Sequence, residues 1–118
     1  ENCNHYRLFL ENNYDIYSAE SVGDAKAILN SETIDMVLLD IGLPDSQGFL
    51  LFDSDETLAY KTMIVSAYSQ PQFLRKAFKY GVYDYLTKPF LKRSLYFLVQ
   101  RFFSIQSIAS YFDTKVEQ

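Results

Sequence analysis

The chain has 118 residues, a net charge of −4 and a single cysteine. This length suits one domain with one hydrophobic core over residues 1–118, and the negative charge argues against nucleic acid as a direct partner. One cysteine excludes an internal disulfide and fits a reducing compartment, and no apolar run approaches the roughly 20 residues of a membrane span. The composition therefore predicts a cytoplasmic globular domain.

Helical and strand-like segments alternate along the chain. Apolar residues at 6, 9 and 10 indicate a helix over 3–12, and Ser21 with Asp24 three residues later is typical of a helix N-terminus. Pro71 and Gly81 are typical of the first residue and the end of another helix. The predicted elements are helices at 3–12, 21–30, 49–60, 71–80 and 91–112 and strands at 14–19, 34–40, 62–66 and 82–87.

Two of the predicted strands, MVLLD and TMIVS, are almost continuously apolar. Strands with this pattern are buried on both faces, as in a parallel sheet covered by helices. Alternation of helix and strand then predicts the α/β class with right-handed crossovers. In such sheets ligands bind beyond the carboxyl ends of the strands.

Polar residues stand at the carboxyl ends of three of the predicted strands. Asp40 ends MVLLD, Ser66 ends TMIVS and Lys88 follows VYDYLT. A carboxylate can act as a nucleophile toward phosphorus, and a hydroxyl and an ammonium group can bind phosphoryl oxygens. Taken singly, an Asp forms turns, a Ser ends strands routinely and a Lys is commonly a solvated charge. The combination favours phosphoryl chemistry at one edge of the sheet.

Three segments, VLLDIGLPDSQGF, IVSAYS and YDYLTKPF, resemble the signature segments of the CheY-like response-regulator receiver domain of two-component signalling. The resemblance covers residues 6–98. It implies a flavodoxin-like, doubly wound parallel sheet with helices on both faces. It also implies a binding and switching domain and not an enzyme that acts on outside substrates.

The same resemblance implies roles for individual residues. Asp40 matches the phosphoacceptor, which is charged by a sensor histidine kinase or a phosphotransfer protein. Ser66 matches the residue that hydrogen-bonds the phosphoryl group, and Lys88 matches the lysine that pairs with it. Tyr85 matches the aromatic residue that rotates inward when the hydroxyl residue moves. The helix 71–80, the strand at 82–87 and the last helix would form the affected surface.

Magnesium is the cofactor that the resemblance implies. Asp40 and Gly42, through its backbone carbonyl, match two of the positions that bind Mg²⁺. The family also carries an acidic pair at the end of a first strand, which precedes the first helix. Neither that strand nor the pair is found in these 118 residues. We expect both to lie outside them, and we expect the 118 residues alone to bind Mg²⁺ poorly.

The last predicted helix carries a heptad seam. Its members are Leu91, Leu95, Leu98, Phe102, Ile105, Ala109 and Phe112. The early part of the seam is expected to cover the sheet. The part beyond Phe102 extends past a domain of this size, which would leave its apolar side chains exposed. We therefore expect a partner there, either a second copy in a homodimer or a following helix.

The residues discussed above leave three other functions as alternatives. A degenerate receiver would act as a phosphorylation-independent interaction module, and the missing acidic pair is its support. An aspartyl-phosphate hydrolase would carry a second Asp two residues after the first, where this chain has Gly42. A Schiff-base enzyme would need an apolar pocket around Lys88, and the adjoining Pro89 does not indicate one.

Overall fold

A computed structural model of the chain describes residues 7–8, 10–42 and 47–117, with side chains described up to Ile105. The helices are α1 (Val22–Ser31), α2 (Pro71–Tyr80) and α3 (Lys92–Glu117), and the strands are β1 (Val37–Ile41), β2 (Thr62–Ser66) and β3 (Asp84–Thr87). Two 3₁₀ helices, Gln47–Phe52 and Glu56–Lys61, connect β1 to β2. None of the helices within these ranges combines the length and the apolar content that crossing a bilayer requires.

The strands form a parallel sheet in the order β1-β2-β3. All five residues of the central strand β2 are buried, as its continuous apolar run predicts. In the described part of the chain β1 and β3 are the edge strands. The predicted α/β class with a parallel sheet is confirmed.

Apolar side chains pack on both faces of the sheet. One core lies between the sheet, α1, α2 and the two 3₁₀ helices, and it contains Ile64 and Phe73. The other lies between the sheet and α3, and it contains Val65 and Leu95. Since Ile64 and Val65 are adjacent in β2, they point to opposite faces. This arrangement gives the doubly wound architecture that the resemblance implies.

Several predicted boundaries agree with the structure. Ser21 caps α1, because its hydroxyl accepts a hydrogen bond of 3.1 Å from the Asp24 amide. The strand predicted at 62–66 and the helix predicted at 71–80 have the predicted bounds. Gly81 ends α2 with φ of 95°, and its amide donates to the Phe78 carbonyl. The Lys88-Pro89 peptide bond is cis.

The strand predicted at 14–19 is wrong. These residues have no strand pairing in the described sheet, and several of them are exposed. Their alternation of apolar and polar side chains is compatible with a strand. However, a strand forms only where a neighbouring backbone supplies hydrogen bonds, and β1 pairs only with β2 among the described residues.

The single helix predicted at 49–60 is also wrong. The chain forms two short 3₁₀ helices there, separated at Asp53 and Ser54. Asp55 caps the second one, because its carboxylate accepts hydrogen bonds from the Thr57 amide at 3.0 Å and the Thr57 hydroxyl at 2.6 Å. Short polar side chains compete with helical hydrogen bonding in this way, and here they stop the helix.

The predicted seam of the last helix is only partly correct. Leu95 and Phe102 are buried in the core, whereas Leu91 precedes α3 and is 57% exposed. Val99, which is not a member of the predicted seam, is buried. The buried stripe in this part of α3 therefore consists of Leu95, Val99 and Phe102, with Val99 in place of the predicted Leu98. Ala109 and Phe112 lie beyond the side chains that the structure describes.

Replacement of Gly81 by alanine tests the left-handed end of α2. An alanine at φ of 95° is strained, and its Cβ would lie 2.5 Å from Cε1 of Tyr60. We expect Gly81→Ala to lower the free energy of unfolding by about 1–2 kcal/mol in urea denaturation. Gly23→Ala in α1 is the control, since its nearest neighbour is 3.9 Å away and alanine favours a helix by about 0.5–1 kcal/mol. Equal stabilities of the two variants would contradict this account.

Candidate functional site

The carboxyl ends of the three strands bring the predicted site residues to one edge of the sheet. The strand register pairs Asp40 with Val65 and Ile41 with Ser66. It also pairs Ser66 with Thr87, the residue before Lys88. Parallel strands therefore place Asp40, Ser66 and Lys88, which are far apart in the chain, at the same end of the sheet.

Asp40 and Lys88 form the charged half of this site. The Lys88 ammonium lies 3.0 Å from Oδ1 and 3.1 Å from Oδ2 of Asp40, so it contacts both carboxylate oxygens. The pair is partly open to solvent, with 27% of the Asp40 side chain and 19% of the Lys88 side chain exposed. A partly buried, charge-assisted contact of this kind holds the carboxylate in place and leaves it accessible.

Backbone hydrogen bonding positions the lysine. The Lys88 amide donates to the Ser66 carbonyl over 2.8 Å, which continues the pairing of β3 with β2 past the end of the strand. Lys88 lies two residues after Leu86, whose register partner is Val65. Side chains two residues apart in an extended chain lie on the same face. Lys88 therefore lies on the face of the sheet that Asp40 shares with Val65.

Ser66 belongs to a second, hydroxyl half of the site. It is fully buried, and its hydroxyl accepts a hydrogen bond of 3.0 Å from the Tyr68 amide. Being next to Val65, it points to the other face of β2, where Tyr85 lies in register with Ile64. The Tyr85 hydroxyl donates a short hydrogen bond to the Tyr68 carbonyl. Ser66 and Tyr85 are thus linked through the backbone of Tyr68.

Aromatic packing fixes the Tyr85 ring. It meets the Phe73 ring of α2 edge-on at a centroid distance of 6.1 Å, and Tyr68 packs on the same Phe73 at 6.2 Å. Burial raises the pKa of the Tyr85 hydroxyl, and the nearby Ser66 hydroxyl acts in the opposite direction. The hydroxyl therefore stays protonated near neutral pH and remains a hydrogen-bond donor.

The described residues supply only part of a magnesium site. The Asp40 carboxylate is a suitable hard oxygen ligand, and Gly42 follows it directly after β1. Within the described ranges, however, no group of three or more His, Cys, Asp or Glu side chains could hold a metal ion. A complete Mg²⁺ site at Asp40 would need oxygen ligands from outside these residues or from water.

Sequence reasoning missed Tyr68. Its amide and its carbonyl connect Ser66 to Tyr85, and its ring contacts Phe73. Among the described residues, its side chain makes no polar contact that a residue pattern would signal. The only indication in the sequence is a large aromatic residue two positions after Ser66.

Curated proteins with similar sequences include regulatory proteins of bacteria. The chain is 38% identical over 76 residues to the sensory transduction protein LytR of Streptococcus mutans serotype c. The aligned region covers 64% of this chain and 31% of that protein. The chain is 36% identical over 74 residues to the transcriptional regulatory protein MalR of Bacillus subtilis, covering 61% of this chain and 32% of MalR. The chain thus spans about a third of the length of these relatives.

The fold matches that of solved receiver domains. The CheY-like response regulator receiver domain protein of Methanospirillum hungatei JF-1 superposes with a TM-score of 0.78 at 24% identity, covering 90% of this chain and 87% of that one. The family described as the response regulator receiver domain matches residues 2–100 of the sequence. The chain therefore belongs to the response regulator receiver domain family.

Proposed function

We propose that this receiver domain accepts a phosphoryl group on Asp40 from a sensor histidine kinase or a phosphotransfer protein. The observation that carries the proposal is the contact of the Lys88 ammonium with both Asp40 oxygens at the carboxyl end of the sheet. A carboxylate held beside a fixed cation, and still open to solvent, suits attack on an incoming phosphoryl group.

The transfer would exchange one bond for another at phosphorus. A carboxylate oxygen of Asp40 attacks the phosphorus of a phosphohistidine, an O–P bond forms, and the N–P bond breaks with the histidine as leaving group. The product is an acyl phosphate with about −1.5 to −2 charge at neutral pH. Lys88 lies close enough to offset that charge, and Ser66, one register position further along the sheet edge, is the hydroxyl expected to bind a phosphoryl oxygen.

Mg²⁺ would bind beside the acceptor through Asp40 and the Gly42 carbonyl, with its remaining oxygen ligands from outside the described residues. The ion supplies positive charge that neutralises the phosphoryl oxygens. The role of this chain is to hold the carboxylate at the end of β1 and to place Lys88 against it.

Tyr85 is the residue that we expect to change position when Asp40 is phosphorylated. A phosphoryl group that draws the Ser66 hydroxyl toward Asp40 would compete with the Tyr68 amide for that hydroxyl. Because the Tyr68 carbonyl holds the Tyr85 hydroxyl, a shift of the segment after β2 would move the Tyr85 ring against Phe73. The change would thereby reach α2, β3 and the adjoining part of α3.

The proposal can be tested on a form of the protein that includes the expected first strand and its acidic pair, since the 118 residues alone are expected to bind Mg²⁺ poorly. Incubation with acetyl phosphate and Mg²⁺ should give a gain of one phosphoryl group in intact mass. The gain should disappear in neutral hydroxylamine, which cleaves acyl phosphates and leaves serine and tyrosine phosphates intact. Absence of any gain, with the fold retained by circular dichroism, would instead favour a phosphorylation-independent interaction module. That alternative agrees with the finding that, among the described residues, no group of three or more His, Cys, Asp or Glu side chains could hold a metal ion.

Lys88→Ala should slow this reaction while leaving the acceptor in place. Loss of the ammonium removes the side-chain cation that contacts both Asp40 oxygens, and removal of one such group typically costs about 100-fold in rate. The rate of mass gain measures the effect. Lys79→Ala, which removes an exposed cation from α2, is the matched control and should react as the wild type does. Equal rates for the two variants would exclude a role for Lys88.

A further inference from the structure

One face of α2 borders the first 3₁₀ helix. Lys76 and Tyr80 of α2 both contact the ring of Phe49, which belongs to that 3₁₀ helix. The Lys76 ammonium lies 4.9 Å from the ring centre, and the Tyr80 ring stacks on the Phe49 ring at a centroid distance of 5.2 Å. Residues four apart share a helix face, so Gln72 lies on this face as well. Because α3 packs on the opposite side of the sheet, a space between α2 and the 3₁₀ helix is separate from the surface around α3.

A cavity of about 240 Å³ lies at this face, beside the first two turns of α2. Its lining residues are Gln70, Gln72, Phe73 and Lys76. Phe73 is 6% exposed, and its ring packs against the Phe49 ring at a centroid distance of 5.6 Å. The apolar part of the lining is therefore an aromatic ring that the core holds in place. We call this space the Phe73 cavity.

The polar groups of the Phe73 cavity are nitrogen donors. Lys76 supplies an ammonium group, and the side-chain amides of Gln70 and Gln72 each carry two N–H donors. Gln70 precedes α2 without capping it through its side chain, so its amide is available to a ligand. No acidic residue occurs in α2. An aromatic surface bordered by a cation and amide donors suits a ligand that joins an aromatic ring to a negative charge.

We propose that the Phe73 cavity binds a small aromatic carboxylate, whose ring lies against Phe73 and whose carboxylate accepts hydrogen bonds from Lys76 and the neighbouring amides. Ligand sites are typically apolar cavities with a few placed polar groups, and their volumes are about 300–1,000 Å³. The Phe73 cavity lies just below that range, so it favours a ligand of one or two rings. A charge-assisted contact with Lys76 would orient the ligand.

A second depression in the described part of the chain is larger but specifies a ligand less well. It has a volume of about 500 Å³ and is lined by Tyr14, Gln100, Phe103 and Ser104. These described lining residues are uncharged, and two of them already stack on each other, since the Tyr14 and Phe103 rings lie 5.3 Å apart. The Phe73 cavity has both a free apolar surface and a charge of defined sign.

The position of Phe73 connects the cavity with the switch. Its ring meets the rings of Tyr85 and Tyr68 as well as that of Phe49. A ligand that presses on Phe73 therefore contacts the residue against which Tyr85 packs. If phosphorylation at Asp40 moves Tyr85, ligand and phosphoryl group must affect each other reciprocally. This coupling rests on the proposed function, whereas the ligand site itself does not.

Binding can be measured by ¹H–¹⁵N NMR titration of the protein with 2-naphthoate. We expect a Kd on the order of 1 mM, as for a ligand of this size, with the largest shifts at residues 70–76 and at Phe49. Neutral 2-naphthol and cationic 2-naphthylmethylammonium should bind at least about threefold more weakly, because neither gains the contact with Lys76. Equal affinities for the three probes would overturn the proposal, as would shifts confined to other parts of the chain.

Charge reversal at Lys76 tests the orientation of the ligand. Lys76 is exposed, so Lys76→Glu should keep the fold. It should weaken 2-naphthoate binding by about fivefold or more and make 2-naphthylmethylammonium the tighter ligand, since attraction becomes repulsion. Arg93→Glu, at an exposed position of α3, changes the net charge equally and should alter binding less than about twofold. Equal effects of the two variants would mean that 2-naphthoate responds to net charge and does not contact Lys76.

A final titration separates this inference from the proposed function. In the form of the protein used for the acetyl phosphate test, phosphorylation should change the affinity for 2-naphthoate by about fivefold. The same treatment of Asp40→Asn should not change it. Selective binding that phosphorylation leaves unchanged would support the ligand site and count against its coupling to Tyr85. A phosphoryl gain in a protein that does not bind 2-naphthoate would support the proposed function and overturn this inference.

Discussion

Asp40→Asn is expected to take up no phosphoryl group from acetyl phosphate and Mg²⁺, under conditions in which the wild type gains one. The asparagine amide is nearly isosteric with the carboxylate but lacks the charged oxygen that attacks phosphorus. It can still accept a hydrogen bond from Lys88, so the edge of the sheet should keep its structure. Intact mass spectrometry gives the result directly.

Asp53→Asn is the matched control for this variant. Asp53 is an exposed aspartate that follows the first 3₁₀ helix, and the same isosteric change there should leave the mass gain at the wild-type level. Circular dichroism should give the same spectrum for both variants. A full gain in Asp40→Asn would mean that another residue is the acceptor, and the proposed function would then be wrong.

Phe102→Ala is expected to have the largest effect on stability. Phe102 is 2% exposed and meets the rings of Tyr83 and Phe103 edge-on at 4.9 and 5.2 Å. Removal of a buried phenylalanine ring costs about 3–5 kcal/mol, since it combines lost apolar burial with a cavity. Urea denaturation should therefore show a large fall in the free energy of unfolding.

Phe97→Ala provides the comparison within the same helix. Phe97 lies five residues earlier in α3 and is largely exposed, with Arg101 near its ring. Its loss should cost no more than about 1 kcal/mol. Similar losses for the two variants would mean that α3 packs on the sheet through a different stripe of side chains.

Part of the fold is predictable because its signals are local. The bounds of β2 follow from a run of five residues that suit a strand buried on both faces, and those of α2 follow from Pro71 at its start and Gly81 at its end. These residues restrict the backbone whatever their tertiary neighbours are. The Ser21 cap of α1 is local in the same sense.

The wrong predictions concern features that distant residues decide. Residues 14–19 alternate as a strand does, but pairing depends on a partner backbone that the alternation does not specify. The break at Asp53 and Ser54 depends on which of two competing hydrogen-bond patterns the chain adopts. In α3 the helix was predictable, but the choice between Leu91 and Val99 for the core depends on the shape of the sheet beneath.

The candidate site, like the fold, has features that the sequence predicts and features that it does not. The meeting of Asp40 with Lys88 could be predicted, because parallel strands place their carboxyl ends together. The resemblance implies a coupling of Ser66 to Tyr85, but its route could not be predicted, because it passes through the amide and the carbonyl of Tyr68. Every residue has these backbone groups, so no residue type signals the contact.

Mapping the phosphoryl group by borohydride reduction tests the central claim most directly. Borohydride reduces an acyl phosphate to an alcohol with release of phosphate, so a phosphorylated aspartate becomes homoserine. After treatment with acetyl phosphate and Mg²⁺, reduction and proteolysis, tandem mass spectrometry should find homoserine at position 40 and at no other aspartate. Homoserine at Asp45 or Asp53 with none at position 40, or phosphate retained on a hydroxyl side chain, would contradict the account.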